Sequence, residues 1–369
     1  MAQVFQHFAR SLIDWLFRPK SSGLMAMRTG ITLVVIAFGI GWAFDFSLPV
    51  EGGRLNLSFD SGKGVPERIV YLAAIVGLVL ILGGFVLECV RYAHDRRIQM
   101  KKRVLVIEGR GLRDGPGRPL VDAVPATIKG HRQPLLLDLR QKVEDGKIVA
   151  PTQILTRIIG LATQIDQLTA GVERSDVTLV YGGLTAVPFT FLTGVMVDDE
   201  DNVLVLDWDR RQENWRLLNE EDDGRRFITT GLDDVANSPE VVLAVSVSQP
   251  ILQTDLEEGF PGLPIVRMTL DGGGLHSHWS DRKQGHLADQ FLQTAFELDR
   301  RGVTRIHLVL AAPNSVVFRF GRSYDKRNLP AISVYQFEKG SHPPYPWAVA
   351  MPVRGISSAT ISDPPVSAA

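Results

Sequence analysis

Hydrophobic positions fall into two regimes along the chain. Residues 69–87, IVYLAAIVGLVLILGGFVL, carry no charged side chain. A bilayer core of roughly 30 Å needs about 20 apolar helical residues, so this run is long enough to cross one. Residues 29–46, TGITLVVIAFGIGWAFDF, form a weaker second run with Asp45 near its end. The pattern predicts a two-helix hairpin over 29–90, with spans at 29–46 and 69–88 joined by a short connection from Ser47 to Arg68. Small residues four apart, Ala37/Gly41 and Ala73/Gly77, would let the two helices approach closely. Upstream, QVFQHFARSLIDWLF sets Val4, Phe5, Phe8, Leu12, Trp15 and Leu16 near helical spacing, so residues 1–28 read as amphipathic. Such a segment either lies on a membrane surface or packs on a soluble body.

Beyond about residue 100 the pattern changes to alternating strands and helices, the mark of an α/β fold. Strands are predicted at 104–107, 135–139, 177–181, 203–207, 241–247, 265–270, 305–310 and 331–337. Amphipathic helices are predicted at about 152–170 and 284–301, each stopped by a glycine, Gly171 and Gly302.

The second regime repeats itself. VTLVYGGLTAVPFTFLTG at 177–194 parallels IHLVLAAPNSVVFRFGR at 306–322: a strand, small residues, a short apolar stretch, then glycine. NVLVLDW then matches PAISVYQ, and NWRL matches PWAV. PLLLDLRQ and VVLAVSVSQ would open the two units, leaving the strand at 265–270 as an extra in the second. The expected architecture is two Rossmann-like lobes about a pseudo-two-fold axis.

Charge refines the picture twice. Arg18, Lys20 and Arg28 precede the first span, and Arg91, Arg96, Arg97, Lys101, Lys102 and Arg103 follow the second. The positive-inside tendency then puts both ends in the cytoplasm. No cleaved signal peptide is expected, because the first span starts late and no small-residue cleavage site follows it. Overall the formal charge is −1, which argues against bulk binding of nucleic-acid polymers but leaves room for a local cluster around a compact anion. One cysteine, Cys89, excludes a disulfide framework or thiolate zinc site within one chain.

Ligands of doubly wound sheets bind past the carboxyl ends of the strands. There the sequence has Arg140 and Gln141; Gly182, Gly183 and Thr185; Ser248 and Gln249; His278 and Trp279; and Pro313, Asn314 and Ser315. Small residues and backbone N–H groups can cradle phosphate, and Trp279 could stack a base. Arg140, Arg210, Arg282 and Arg322 are the candidates for neutralising two or three phosphates.

Other motifs fail. EGRGLRDG has Asp114 where a dinucleotide fingerprint needs its third glycine. His276, His278 and His286 have no carboxylate arranged with them for a metal. DDEDN at 198–202 lacks the glycine and glutamate of a calcium loop.

HLVLAAPNSVVFRFGR followed by ISVYQFE resembles the C-terminal signature of SAVED domains. RGLRDGPGRPLVDAV and LLLDLRQ look like its membrane-anchored members, and the similarity covers about residues 103–350. With the preceding hairpin, the chain resembles the transmembrane SAVED effectors of bacterial CBASS anti-phage systems. The resemblance implies two fused CARF-like lobes, about 103–235 and 236–350, after a basic linker at 91–102 and before a flexible tail at 351–369. It further implies a receptor for a cyclic di- or trinucleotide made by a partner nucleotidyltransferase. Oligomerisation, clustering of hairpins in the inner membrane and membrane disruption would follow. No catalysis, cofactor or metal is expected. A rival reading is a membrane-tethered phosphodiesterase using His278, Arg140 and Ser248.

Overall fold

A computed structural model describes residues 21–39, 44–50, 53–59, 66–111, 118–140, 142–144, 147–149, 152–197, 203–235, 238–274, 276–356 and 358–362. The chain divides into two compact units, Met1–Gln99 and Met100–Ala369.

In the first unit, helix α1 spans Ser22–Gly39, strands β1 (Phe44–Val50) and β2 (Gly53–Phe59) follow, and helix α2 spans Glu67–Lys101. Gly23, Gly30 and Ala37 of α1 are buried, as are Gly77 and Gly84 of α2. They recur every seven residues, so each set keeps to one helix face. A Cβ on Gly30 would sit 2.5 Å from the carbonyl oxygen of Gly77, and one on Gly84 equally close to that of Gly23. Only glycine lets the backbones come this near.

Around this seam the helices turn apolar side chains outward: Val35, Ile36, Leu72, Ile75, Val79, Leu82 and Phe85 are all exposed. A buried core helix would hide them; these surfaces suit lipid. Residues 68–97 of α2 are long and apolar enough to cross a bilayer, whereas the apolar part of α1 is shorter. At 35 residues α2 is about 52 Å long, roughly 20 Å more than a bilayer core requires.

The prediction for the first span is corrected. Its helix runs from Ser22 to Gly39, and Phe44–Phe46 belong to β1. The stretch Phe44-Asp45-Phe46-Ser47-Leu48 alternates with period two, the strand period, despite its apolar content. The small-residue contacts fall seven rather than four apart; Gly41 and residues 1–20 lie outside the described residues. The basic stretch after the second span continues α2 to Lys101.

The second unit begins at β3 (Arg103–Arg110), one residue after α2, then α3 (Leu120–Ala123), β4 (His131–Asp138), short β5 (Lys142–Glu144) and β6 (Lys147–Val149), α4 (Thr152–Ile159), α5 (Leu161–Thr169), β7 (Val177–Leu184), α6 (Val187–Val197), β8 (Val203–Asp209) and β9 (Asn214–Leu217). Next come β10 (Phe227–Thr230), β11 (Glu240–Ser246), α7 (Gln253–Gly259), β12 (Ile265–Leu270), α8 (Asp281–Arg300), β13 (Arg305–Ala311), α9 (Asn314–Ser323), β14 (Ala331–Gln336), β15 (Trp347–Ala350) and β16 (Thr360–Ser362). The predicted helix at 152–170 is interrupted at Gly160.

One sheet has the order β4-β3-β7-β8-β9 and the other β10-β12-β11-β13-β14-β15-β16. Removing the edge strands β10 and β16 leaves the same order twice, with four parallel strands and an antiparallel fifth in each. The repeat is therefore real, but its opening strand is corrected: β3, not PLLLD in β4, corresponds to β11. The strand at 265–270 is the counterpart of β4 rather than an extra. β3 and β4 both read as apolar strands ahead of the predicted helix at 152–170, and only pairing shows that β3 takes the place of β11.

The lobes meet through α6 and α9, the short apolar stretches of the repeat. A Cβ on Gly194 would lie 2.2 Å from the carbonyl oxygen of Phe318, and one on Gly321 would lie 2.1 Å from that of Phe191. Each glycine faces the carbonyl three residues before the other, so the contact is reciprocal, as a pseudo-two-fold axis requires. Beside it the Tyr181 and Phe318 rings stack with centroids 3.6 Å apart.

Candidate interlobe site

Both sheets reverse direction next to their central strands, between β3 and β7 and between β11 and β13, and crevices for ligands open at such points. The glycines there prove to be packing residues. A Cβ on Gly182 would strike Leu120 and Trp215, and one on Gly183 would be 2.5 Å from the Tyr181 hydroxyl. They let β7 pack closely against these side chains.

From the end of β7 a chain of polar groups crosses to the second lobe. Thr185 Oγ1 lies 2.6 Å from Thr190 Oγ1, and the Thr190 hydroxyl donates to Asn314 Oδ1 at 2.6 Å. At the end of β8, Asp207 Oδ2 accepts the Ser315 backbone N–H at 3.1 Å. This carboxylate satisfies a first-turn N–H of α9 and complements the helix dipole. Gln284, wholly buried on α8, donates from Nε2 to Ser315 Oγ at 2.9 Å and to the His278 carbonyl at 2.7 Å. His278 Nε2 faces Asp207 Oδ2 at 3.6 Å. His278 Nδ1 and Gln284 Oε1 are buried without a hydrogen-bond partner among the described residues, leaving capacity for a ligand or water.

Of the sequence-predicted residues, Thr185, His278, Asn314 and Ser315 thus converge on one polar knot. Pro313 caps α9 at its amino end. The others are placed differently. Trp279 is buried with the Arg216 guanidinium 4.7 Å over its ring, so that face is covered in this arrangement. Ser248 donates from N–H and Oγ to the Ala311 carbonyl at 3.1 and 3.2 Å. Arg140 is exposed and grips Asp138 with Nε and Nη2 at 2.9 and 2.8 Å, and this holds the Asp138 carboxyl down to about 2. Gln249, Arg210 and Arg282 are exposed, Arg322 is half-buried, and Gln141 lies outside the described residues. Asp207, Thr190 and Gln284 were missed. The one available signal was an acidic residue closing an otherwise apolar strand in LVLDW. No cluster of metal-ligating side chains occurs among the described residues.

This packing has two measurable consequences. Asp207→Ala leaves the buried Ser315 N–H without its acceptor, which should cost about 2–3 kcal/mol in chemical denaturation of the sensor unit, whereas Asp207→Asn should cost less. The second concerns pH. Burial pushes the His278 imidazole below its ordinary value, against the pull of Asp207; burial does the same to His307, against Glu240. Both histidines are therefore harder to protonate folded than unfolded. Stability should be full above about pH 6.5 and fall as pH drops below it, by at most about 1.4 kcal/mol per pH unit per group. Denaturation at pH 7.5 and 5.5 measures this, and His278→Gln should flatten the slope; an unchanged slope would remove His278 as a source.

Comparison with known proteins gives this geometry a family. Residues 161–351, more than half of the chain, match the family model described as the SMODS-associated and fused to various effectors sensor domain, SAVED. The chain belongs to the SAVED family. Residues 2–155 match the SAVED-fused 2TM effector domain, which with the exposed apolar α2 supports association with a membrane. The strands β3 and β4 of the first SAVED-like sheet thus fall inside the segment matched by the effector model.

Among solved structures, the chain is similar to the Acinetobacter baumannii Cap4 SAVED/CARF-domain containing receptor with the cyclic trinucleotide 2'3'3'-cAAA, at 9% identity and TM-score 0.46, covering 78% of this chain and 59% of that one. The Moraxella osloensis Cap4 receptor gives 12% identity and TM-score 0.43, with 78% of this chain and 57% of that one covered. This chain therefore spans under two thirds of the length of either Cap4 receptor. No curated protein sequence matches.

Proposed function

We propose that this protein is a membrane effector gated by a cyclic oligonucleotide. The observation that carries the reading is the joining, in one chain, of a two-lobed SAVED sensor to a 2TM effector hairpin. The junction is short: β3, the central strand at the first switch point, starts one residue after α2. A ligand engaging the carboxyl end of β3 would act nine residues along the chain from the last residue of the membrane helix.

The ligand is a cyclic di- or trinucleotide made by a partner CBASS nucleotidyltransferase, the class of compound bound to the Cap4 receptor. Binding at the interlobe crevice drives self-association, and clustered hairpins then breach the inner membrane of an infected cell. α1 and α2 both cross it, with the sensor and both termini in the cytoplasm as the basic flanks direct. The protein is not catalytic. His278 Nε2 faces Asp207, Arg140 holds Asp138 and Ser248 donates to the Ala311 carbonyl, and none of the three is assigned a hydrolytic step.

Arg140 tests the ligand site. Moving its guanidinium from Asp138 to a ligand phosphate would give a charge-assisted bond of about 1.5–3 kcal/mol. Arg140→Ala should then weaken binding of cyclic tri-adenylate by roughly tenfold or more in calorimetry. Unchanged affinity would take Arg140 out of the site, and no binding of any cyclic di- or trinucleotide by the wild type would overturn the sensor reading.

A further inference from the structure

The strand pair between the membrane helices has a face that nothing in the sensor reading accounts for. Its register pairs Phe44 with Phe59, Phe46 with Leu57, Leu48 with Leu55 and Val50 with Gly53. Opposed residues share a face, and so do alternate residues along each strand. One face therefore carries an apolar residue at every position except Gly53. The other carries Asp45, Ser47, Arg54, Asn56 and Ser58, with Pro49.

An isolated two-stranded hairpin is marginal in water, and an apolar face of this extent needs cover. Among the described residues no helix packs extensively along either strand. Chain connection limits what the cover can be. Only residues 40–43 separate α1 from β1, and only residues 60–66 separate β2 from α2. Fully extended, those links reach about 17 and 28 Å. Both ends of the hairpin are thus tied to helices whose outward surfaces are apolar, so it is held close to one face of the bilayer.

We propose that the β1–β2 hairpin lies flat in the bilayer interface, its Phe44/Phe46/Leu57/Phe59 face against the acyl boundary and its Asp45/Arg54/Asn56 face toward water. An interface is the environment that rewards one apolar and one polar side at once, as it does for surface-lying amphipathic helices. Lipid is the occupant rather than a second copy because the tethers deliver the face to lipid at any protein concentration. The inference rests on the reading that α1 and α2 span the membrane.

Spin labels on single cysteines test it in the full chain, with Cys89→Ser as background, in nanodiscs of phosphatidylcholine and phosphatidylglycerol. The labelled variants are Phe46→Cys and Leu57→Cys on one face, Ser47→Cys and Asn56→Cys on the other, and Val79→Cys in α2 as a reference. Collisions with oxygen, which partitions into lipid, are compared with those of a water-soluble nickel chelate. The proposal expects oxygen to dominate at 46 and 57 and the chelate at 47 and 56, alternating with period two. Chelate access on both faces would overturn it. So would shielding of 46 and 57 from both reagents with cross-linking between copies at 46, which would place a second copy on the face. If Val79 is itself open to the chelate, the spanning reading falls along with this one. Oxygen access at Val79 combined with chelate access at 46 and 57 overturns the hairpin placement alone.

Discussion

Gly321→Ala should separate the two lobes of the sensor. The added Cβ would stand 2.1 Å from the Phe191 carbonyl oxygen and 2.9 Å from its carbon, both backbone atoms of the facing helix. A flexible side chain could swing away; a helix carbonyl cannot, so α9 must shift off α6. Alanine would favour an isolated helix by about 1 kcal/mol. Overpacking a buried contact costs roughly 1–3 kcal/mol, and more where no side chain can yield. The clash wins, and the net loss should reach about 2 kcal/mol or more by denaturation. Gly194→Ala should behave alike because the contact is reciprocal. Gly285→Ala is the control: that helical glycine has nothing within 4 Å of its would-be Cβ, so the same change there should be neutral or stabilising. Equal losses at 285 and 321 would mean that the close approach of α6 and α9 is not what holds the lobes. Cyclic nucleotide affinity should fall with Gly321→Ala too, since the polar knot from Thr190 to Asn314 crosses the same interface.

Removing residues 1–99 should split the two proposed activities. The unit Met100–Ala369 is compact by itself, with a core that runs through both sheets and the α6–α9 contact. Its affinity for the nucleotide should match that of the full chain. Its ability to breach a membrane should vanish, because the outward apolar surfaces of α1 and α2 are gone. Leakage of vesicles caused by the fragment alone would mean that the sensor, not the hairpin, attacks the bilayer.

How much of this was legible in the sequence depends on what kind of signal each element leaves. The parallel strands of both sheets and the long α8 could be read because burial on two faces or one writes a regular pattern, whereas the short edge strands β10 and β16 left too few residues to show one. α6 could not: it is buried nearly all round, so VPFTFLTGVMV shows no polar side to reveal its period. The hairpin strands β1 and β2 were hidden for the opposite reason. The start of β1 was read into the preceding apolar span, and the rest of β1 and all of β2 into the connection from Ser47 to Arg68. At the candidate site, strand-end logic named Thr185, His278, Asn314 and Ser315, which the fold brings together, and Gly182, Gly183 and Trp279, which it packs closely against Leu120, Tyr181 and Arg216. Glycine and tryptophan serve packing as readily as recognition, and only the neighbours at Leu120, Trp215 and Arg216 decide which. Asp207 and Gln284 lie on separate elements, and nothing along the chain announces that they meet at Ser315.

The central claim, that nucleotide binding in the sensor opens the membrane through the hairpin, is tested most directly by dye release. Full-length protein in dye-loaded vesicles should release dye when cyclic tri-adenylate or another cyclic di- or trinucleotide that it binds is added, and should hold it otherwise. Tight binding with no release, or the same release without nucleotide, would contradict the account.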